Sequence, residues 1–272
     1  MTRKSSRLLL YLPLLLAALF YLIPMYVMLV TGFKGFEEVD LKTMWALPRS
    51  LQLDNFREAY AKLAPYLANS FTMVIPAAII SSFLGSLNGY VLSKWKFRGS
   101  NIIFPLILFG MFIPYQSIMI PLVEFMRRID LYGGLPGLVL AHVIYGIPIT
   151  TLTFRNYYAT IPKELVEAAK IDGAGMMGVY WNILLPISIP SFVVVLIWQF
   201  TQAWNDFLFA VVLTSPSNWP VTVALNNMAG SQIVAWNVQM AGSFLTALPT
   251  LLVYIFLGRY FLRGMMAGAL KG

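Results

Sequence analysis

Long apolar runs alternate with short polar segments along this chain. The first run extends from Leu8 to Val30, and as a helix it is long enough to cross a hydrocarbon core of about 30 Å. A signal peptide has a shorter apolar region, so we expect this first span to be retained. Further apolar runs at about 68–92, 101–123, 135–154, 187–213 and 240–262 bring the predicted transmembrane helices to six.

Two of these spans have features that bear on helix packing. The second has small residues at every fourth position, which predicts close contact with another helix: Ser81, Gly85 and Gly89. The third is interrupted by Pro105, Pro114 and Pro121. Proline frees carbonyl groups inside the membrane, as in helices that line a transport path and also in bent helices that only pack.

The polar segment at 31–67 carries balanced charge. Asp54 can cap a short amphipathic helix with Phe56, Tyr60 and Leu63 on one side, which we expect to rest on the membrane surface. The chain thus divides into a first span with this loop at 1–67, a transmembrane domain at 68–262, and a tail at 263–272.

Composition and charge agree with a protein embedded in a lipid bilayer. The sequence is 59% hydrophobic and only 11% charged, far below the charged share of soluble domains. Twelve Lys and Arg residues lie on the side of the N-terminus and seven on the other. This excess predicts that both termini and the 155–186 segment are cytoplasmic. The net charge of +8 therefore reflects topology and gives no reason to expect a nucleic acid partner.

Sequence signatures of catalysis are missing. The chain has no Gly-x-x-x-x-Gly-Lys-Ser/Thr phosphate loop, no Gly-x-Ser-x-Gly, no cysteine and a single histidine. An intramembrane hydrolase or metalloenzyme needs such groups in combination. We therefore expect no catalytic or metal site, and we expect a transport subunit instead of an enzyme.

Polar residues within the spans mark a candidate path for a solute. Asp206 is the only acid inside an apolar span, where a charge costs about 2.5–3.5 kcal/mol. Two interpretations remain open: the polar face at Asp206 lines the path, or it hydrogen-bonds a partner subunit. Trp198 and Trp204 offer flat faces that suit sugar rings, but also suit membrane anchoring. His142 either lines the path or bonds a nearby carbonyl. The path candidates are Gln116, His142, Gln199, Gln202, Asn205 and Asp206.

The segment at about 160–186 is patterned as two helices joined by a bend. Thr160 is expected to cap the first helix and Pro162 suits its first turn. Gly173 is placed to end that helix, and Pro186 to end the second. One narrow face is of low bulk and is expected to point outward: Leu165, Ala168, Ala169 and Asp172. The other side of the helix is charged, with Lys163, Glu164, Glu167 and Lys170.

This segment carries a family resemblance. Glu167-Ala168-Ala169, followed at fixed distances by Gly173 and Ile183-x-Leu185-Pro186, resembles the signature of permease subunits in binding-protein-dependent ABC importers. Trp204-Asn205-Asp206-Phe207 and the 259–264 tail are similar to the carbohydrate-uptake branch, specifically the smaller maltose-type permease. The stretch 225–242 is similar to glucose/mannose-type members. The resemblance covers about residues 65–272.

The resemblance implies an all-α polytopic membrane protein with the type I ABC importer permease fold, in the inner membrane of a prokaryote. It implies a second homologous permease, a dimer of ATPases that binds ATP and Mg, an extracytoplasmic sugar-binding protein, and a sugar as solute, with no cofactor in this chain. The residues expected to couple to the ATPase are Glu164, Glu167, Ala168, Ala169, Asp172, Gly173, Leu185 and Pro186.

The charge-free loop at 214–239 is expected to face the binding protein, although its polarity alone would also explain its composition. Its candidate residues are Asn226, Asn227, Gln232, Trp236 and Asn237. The alternative function is a stand-alone ion-coupled secondary transporter. Such a protein would be expected to have several intramembrane acids or an inverted repeat, and neither is evident here.

Overall fold

A computed structural model describes residues 3–95, 97–230 and 234–269, with side chains for 11–95, 97–230 and 234–260. This part of the chain is built from helices and turns. Its helices are α1 (Arg3–Gly32), α2 (Asp54–Lys94), α3 (Ser100–Phe109), α4 (Met119–Arg128), α5 (Leu135–Thr160), α6 (Lys163–Ile171), α7 (Met176–Val179), α8 (Leu185–Ile187), α9 (Ile189–Trp204), α10 (Leu208–Leu213), α11 (Val221–Met228) and α12 (Trp236–Ala269). Shorter 3₁₀ turns lie at Phe36–Glu38, Gly110–Phe112, Tyr115–Ile118 and Pro216–Asn218, and a π-helical turn lies at Tyr180–Leu184.

Candidate membrane spans overlap all six apolar runs of the sequence, although the one at Met176–Trp204 begins and ends before the predicted run at 187–213. Within the described residues, four helices are long and apolar enough to cross a membrane: Tyr11–Gly32, Asp54–Lys94, Leu135–Thr160 and Trp236–Tyr260. Two bent pairs, Ser100–Phe112 with Tyr115–Arg128 and Met176–Ile187 with Ile189–Trp204, bend by 90° and 76°. Counting each bent pair as one span gives six, and the all-helical polytopic fold is confirmed.

The chain forms two compact units. The first contains the residues up to Pro65 together with Ala224–Leu248, and the second contains Tyr66–Val223 and the residues from Pro249 onward. The predicted boundary near residue 67 falls inside the continuous helix α2.

The first unit is held together by a buried asparagine. The Asn55 amide nitrogen donates to the carbonyls of Gly32 and Lys34, both at 2.8 Å. These carbonyls follow the end of α1, where the last turn of a helix leaves its acceptors unpaired. Lys34 is itself buried, and its Nζ donates to the Thr43 carbonyl at 2.7 Å. Asn55 therefore ties the end of α1 to the start of α2.

The predicted short surface helix at Asp54 is instead the first part of α2. Leu63 is fully buried whereas Tyr60 is exposed, so these two residues do not share a face. The helix continues because its buried positions keep the helical period from Leu63 through Ser70 and Val74. Polarity at the start of α2 therefore marks an exposed helix end and not a separate element.

The small-residue stripe of α2 packs against α5 in the second unit. A Cβ on Gly85 would collide with the Thr150 side chain, and one on Gly89 would lie 2.6 Å from the Arg155 backbone nitrogen. The Thr150 hydroxyl also donates to the Ser81 carbonyl at 3.0 Å. The predicted close approach of a helix to this stripe is confirmed.

Candidate functional site

An open cavity of about 540 Å³ lies within the second unit. Side chains from α2, α5, α9 and α10 and from the Tyr115–Ile118 turn surround it. Its polar lining consists of Ser81, His142, Gln199, Gln202, Asn205 and Asp206, and its aromatic lining of Tyr115, Tyr145, Trp198, Phe207 and Phe209. Five of the six residues predicted to line a path therefore meet at one cavity. Gln116, the sixth, is exposed and lies outside it, although its neighbour Tyr115 contributes to the lining.

Asp206 stands in a break between two helices, so the prediction of one continuous span at 187–213 is wrong. Its carboxylate oxygens accept hydrogen bonds from the backbone N–H groups of Phe209 at 3.3 Å and Ala210 at 3.0 Å. Its own carbonyl accepts from the Thr222 hydroxyl at 2.7 Å. The acid thus satisfies the free N–H groups at the start of α10, which stabilises a helix start inside an apolar stretch.

His142 faces the same carboxylate from α5. Its Nε2 lies 3.5 Å from Asp206 Oδ2, and both side chains are 11% exposed. The ring also meets Phe209 edge-on, with ring centroids 5.7 Å apart. This Nε2 is buried without a hydrogen-bond partner among the described residues. The pair therefore links α5 to the break between α9 and α10.

The polar face of α9 divides into a packed part and an open part. Gln199 is buried, and its Nε2 donates to the Ser81 hydroxyl at 3.1 Å. A Cβ on Gly146 would collide with the Gln199 amide, so glycine is what lets that amide pass between helices. Gln202 and Asn205 remain exposed at the cavity. Gln199 therefore bonds within the chain, which leaves Gln202 and Asn205 as the amides available to a solute.

Aromatic rings complete the cavity, and most were missed from the sequence. Tyr115 and Tyr145 each place their ring centroid 5.1 Å from that of Phe209. Tyr145 follows His142 by three residues, a spacing that already puts both on one helix face. Trp198 is exposed at the cavity, whereas Trp204 is only 2% exposed and stacks on Phe200. Of the two tryptophans considered from the sequence, only Trp198 has a face open to a solute.

The second candidate surface is the bent segment at α6. Among its predicted residues, Glu164, Glu167, Ala168 and Asp172 are exposed, whereas Ala169 is buried beside Val166. Of the face predicted to point outward, Leu165, Ala168 and Asp172 are exposed, whereas Ala169 packs on the protein. A cluster of buried residues supports it: Tyr90, Phe154, Tyr158, Ile161, Val166, Ala169, Val179, Tyr180, Leu184 and Val195.

The two ends of α6 differ in how well they follow the predictions made from local sequence. Gly173 has φ +84°, its N–H donates to the Lys170 carbonyl at 3.0 Å, and the Ala174 N–H donates to the Ala169 carbonyl at 2.8 Å. This pairing ends a helix at a left-handed glycine, so the predicted bend is confirmed. Thr160 is instead the last residue of α5, and its hydroxyl donates to the Tyr157 carbonyl at 2.8 Å. Pro162 holds the preceding residue extended, which delays the start of α6 to Lys163.

Helical structure continues beyond Pro186, contrary to the prediction that this proline ends it. Pro186 is exposed near the start of α8, where a missing N–H costs little, and the 76° bend comes at Ser188. Leu185 is half-buried.

A buried network of hydroxyl groups joins α2, α5 and the bend at Ser188. Ser86 Oγ is 2.6 Å from Tyr158 Oη and 3.0 Å from Tyr180 Oη, and Tyr158 Oη donates to Ser188 Oγ at 3.2 Å.

The residues predicted to face a binding protein belong to the first unit. Asn226 and Asn227 are exposed on α11, and Trp236 is exposed at the start of α12. Gln232 lies outside the described residues. Asn237 is 6% exposed, and its amide nitrogen donates to Asn55 Oδ1 at 3.0 Å. Its predicted position on an exposed loop is therefore wrong, because the side chain pairs with a residue distant in the sequence.

Comparison with known proteins agrees with this architecture. Residues 82–266 match the family model described as binding-protein-dependent transport system inner membrane component. The chain is 47% identical over 271 residues to a probable ABC transporter permease protein of Pyrococcus horikoshii, covering 99% of this chain and 98% of that protein. It is 36% identical over 274 residues to a xylose/arabinose import permease protein of Haloferax volcanii, covering 92% and 89%.

One solved structure has the same fold. It is the crystal structure of a bacterial ABC transporter involved in the import of the acidic polysaccharide alginate, with a TM-score of 0.78 at 20% identity, covering 96% of this chain and 99% of that one. The bent helix pairs, the cavity and the patterned α6 segment thus occur in a chain that matches this family along most of its length. The chain belongs to the binding-protein-dependent transport system inner membrane components and is a permease subunit of an ABC importer.

Proposed function

We propose that this permease passes a sugar, delivered by an extracytoplasmic binding protein, through the cavity between α2, α5, α9 and α10. The observation that carries the proposal is the lining. Aromatic faces of Tyr115, Tyr145 and Trp198 stand beside the exposed amides of Gln202 and Asn205. Sugar rings offer apolar faces for stacking and hydroxyls for amides, so a mixed lining of this kind suits them.

The charge of the lining favours a neutral sugar. Among the described residues that surround the cavity, Asp206 and His142 are the titratable groups other than tyrosines, and no Lys or Arg is present. A carboxylate at the wall repels an acidic solute, as a uronate would be. The relative from Haloferax volcanii is named for xylose and arabinose, which are neutral sugars. We therefore assign the neutral monosaccharides or their oligomers as the solute class.

The exposed face of α6 supports the second part of the proposal, which is docking to a separate ATPase. Glu164, Glu167 and Ala168 project from a helix that is seated on buried aromatic residues, so a push on it reaches α5 and α9. The proposal places ATP and Mg on that partner. It also includes a second permease, and it places both chain termini in the cytoplasm on the basis of the Lys and Arg distribution.

Sugar uptake by cells that express the complete transporter tests the path. Gln202→Ala and Asn205→Ala should each lower the uptake of labelled xylose or glucose several-fold. Thr153→Ala, on α5 but outside the cavity lining, is the control and should leave uptake unchanged. Unchanged uptake in the Gln202→Ala/Asn205→Ala double variant, at normal membrane level, would refute this path.

Affinity purification tests the ATPase contact separately. Detergent-solubilised wild-type protein should bring down a second permease and an ATPase. Glu167→Lys should lose the ATPase and keep the permease. Glu58→Lys, a charge reversal in the first unit, is the matched control and should retain both. An ATPase that remains bound to Glu167→Lys would contradict docking through α6.

A stand-alone secondary transporter finds no support in the cavity. Asp206 is the only acid within the predicted spans, and its carboxylate already accepts two backbone hydrogen bonds and faces His142. Transport by the isolated chain in liposomes without ATP is the result that would restore this alternative.

A further inference from the structure

A groove with a basic lining lies between the end of α2 and one side of α6. Its volume is about 420 Å³, and its walls contain three lysines against one carboxylate. We name it the basic groove, and its lining residues are Ser93, Lys94, Trp95, Lys163, Val166, Glu167 and Lys170.

Two of the three lysines of the basic groove are held by neutral groups. Lys94 Nζ donates to the Ile161 carbonyl at 2.6 Å. Lys170 Nζ lies over the Trp95 ring, 4.2 Å from its centroid. Across the described residues, the ion pairs within 4.0 Å are those of Arg57, Lys62 and His142, so no carboxylate neutralises a groove lysine at that distance. The groove therefore keeps a net positive charge next to a partly apolar wall.

One further hydrogen-bond donor in the groove is buried without an acceptor. It is the Ser93 hydroxyl, which has no hydrogen-bond partner among the residues that the structure describes, whereas the Trp95 side chain hydrogen-bonds that of Tyr90. Buried polar groups are normally paired, because an unmet donor costs about 1–3 kcal/mol. An occupant with several acceptor oxygens and a negative charge would match the Ser93 hydroxyl and the lysines.

The position of the groove identifies the source of that charge. Lys94 is the last residue of a candidate membrane span, and Trp95 follows it directly. Tryptophan and lysine together at a span end are typical of the membrane–water interface, where lipid phosphates lie. We propose that the basic groove binds the phosphate of an anionic phospholipid headgroup from the adjoining leaflet. The inference does not depend on which solute the permease carries.

This site places a lipid on the flank of α6. Lys163 and Lys170 stand on α6 itself, whereas Lys94 and Trp95 belong to the end of α2. A bound phosphate therefore bridges the two elements through their lysines. Glu167, the residue tested for the ATPase contact, also lines the groove, whereas the exposed Glu164 and Ala168 do not and stay available for an ATPase while a lipid is bound.

Native mass spectrometry of the purified full-length chain tests the site. Wild-type protein in detergent is titrated with short-chain phosphatidylglycerol, with phosphatidylcholine, or with inorganic phosphate as a competitor. Lys163→Gln/Lys170→Gln removes two exposed lysines and leaves Lys94 on its carbonyl. The control Lys42→Gln/Arg49→Gln removes two exposed charges from the first unit.

The wild-type chain and the control should retain phosphatidylglycerol in preference to phosphatidylcholine. The groove variant should retain it about 30-fold more weakly, or about fivefold for each lysine. Lys163→Arg/Lys170→Arg should restore retention, which separates charge from helix integrity. Circular dichroism of each variant confirms that its helices are intact.

Three results would overturn the assignment. Equal retention of phosphatidylglycerol by the groove variant and the control would remove the lysines from the site. Displacement of the lipid by millimolar inorganic phosphate would make it a site for the free ion. Loss of ATPase co-purification with lipid retention unchanged would make the groove part of the protein-docking surface.

Discussion

Replacing Asp206 tests whether its carboxylate stabilises the fold by capping α10 or by its charge opposite His142. Both oxygens accept backbone N–H bonds at the start of α10, at 3.3 and 3.0 Å. Asparagine caps helices about as well as aspartate does, whereas alanine does not cap. Asp206→Asn therefore removes the charge and keeps a cap, and Asp206→Ala removes both.

The expected loss of stability follows from these two hydrogen bonds. Loss of an N-cap costs about 0.5–2 kcal/mol, and hydrogen bonds to a charged group contribute about 1.5–3 kcal/mol. We expect Asp206→Ala to lower the free energy of unfolding by about 1–3 kcal/mol. Asp206→Asn should lower it by about 1 kcal/mol, because its one amide oxygen can accept only one of the two backbone N–H bonds, whereas His142 at 3.5 Å is beyond hydrogen-bond geometry and loses little.

Thermal unfolding in a mild detergent, followed by circular dichroism, measures the difference. One kcal/mol shifts Tm by about 2–4 °C in a chain of this size, so the alanine variant should melt several degrees below the asparagine variant. Ser215→Ala, elsewhere in the second unit, serves as a control for a lost side-chain hydroxyl outside the cavity. Equal Tm losses for Asp206→Ala and Asp206→Asn would refute the capping argument and assign the effect to the charge.

Four further substitutions probe packing, the bend and the cavity. Gly85→Val should cost more than about 3 kcal/mol, because its side chain would collide with Thr150, and resistance to a protease in detergent should fall. Gly173→Ala should lower the free energy of unfolding by about 1 kcal/mol, measured as a lower Tm, because φ is +84°. The loss should be no larger, because no neighbour lies within 4 Å of the added Cβ. An unchanged Tm would show that the bend relaxes. Gln199→Ala should lower stability by about 0.6–1.7 kcal/mol, whereas Gln202→Ala should lower uptake at unchanged Tm; the reverse pattern would exchange their roles.

Hydropathy and small-residue spacing were sufficient to predict the spans and the contact between α2 and α5. They also located the α6 bend, because a glycine with positive φ leaves a local signal. They could not locate the break at Asp206, because an average over an apolar window does not register one carboxylate that pairs with the backbone three and four residues later. Local hydrogen bonds, not a change of hydrophobicity, mark the start of α10 there.

Pairing between residues far apart in the sequence is the second reason why prediction from the sequence was incomplete. Asn237 was predicted to lie in a loop, because its partner Asn55 is 182 positions away and their pairing leaves no local signal in the sequence. Gln199 belonged to a polar helix face, but only the structure shows that Ser81 and Gly146 take up its amide. Five of the six candidates chosen from the sequence therefore line one cavity, and the three-dimensional contacts show which of them face an open space.

The π-helical turn at Tyr180–Leu184 has a consequence for the direction in which α6 faces. Such a turn accommodates one more residue than an α-helical turn of the same height. Deleting a single residue from it would restore regular winding and leave the segments on its two sides at nearly the same relative angle, because five residues of a π-helix and four of an α-helix turn through about the same angle. The same deletion in a regular α-helical turn would rotate everything on its N-terminal side by about 100° about the helix axis. The π-helical turn is thus a place where the chain can shorten by one residue while Glu167 keeps its direction.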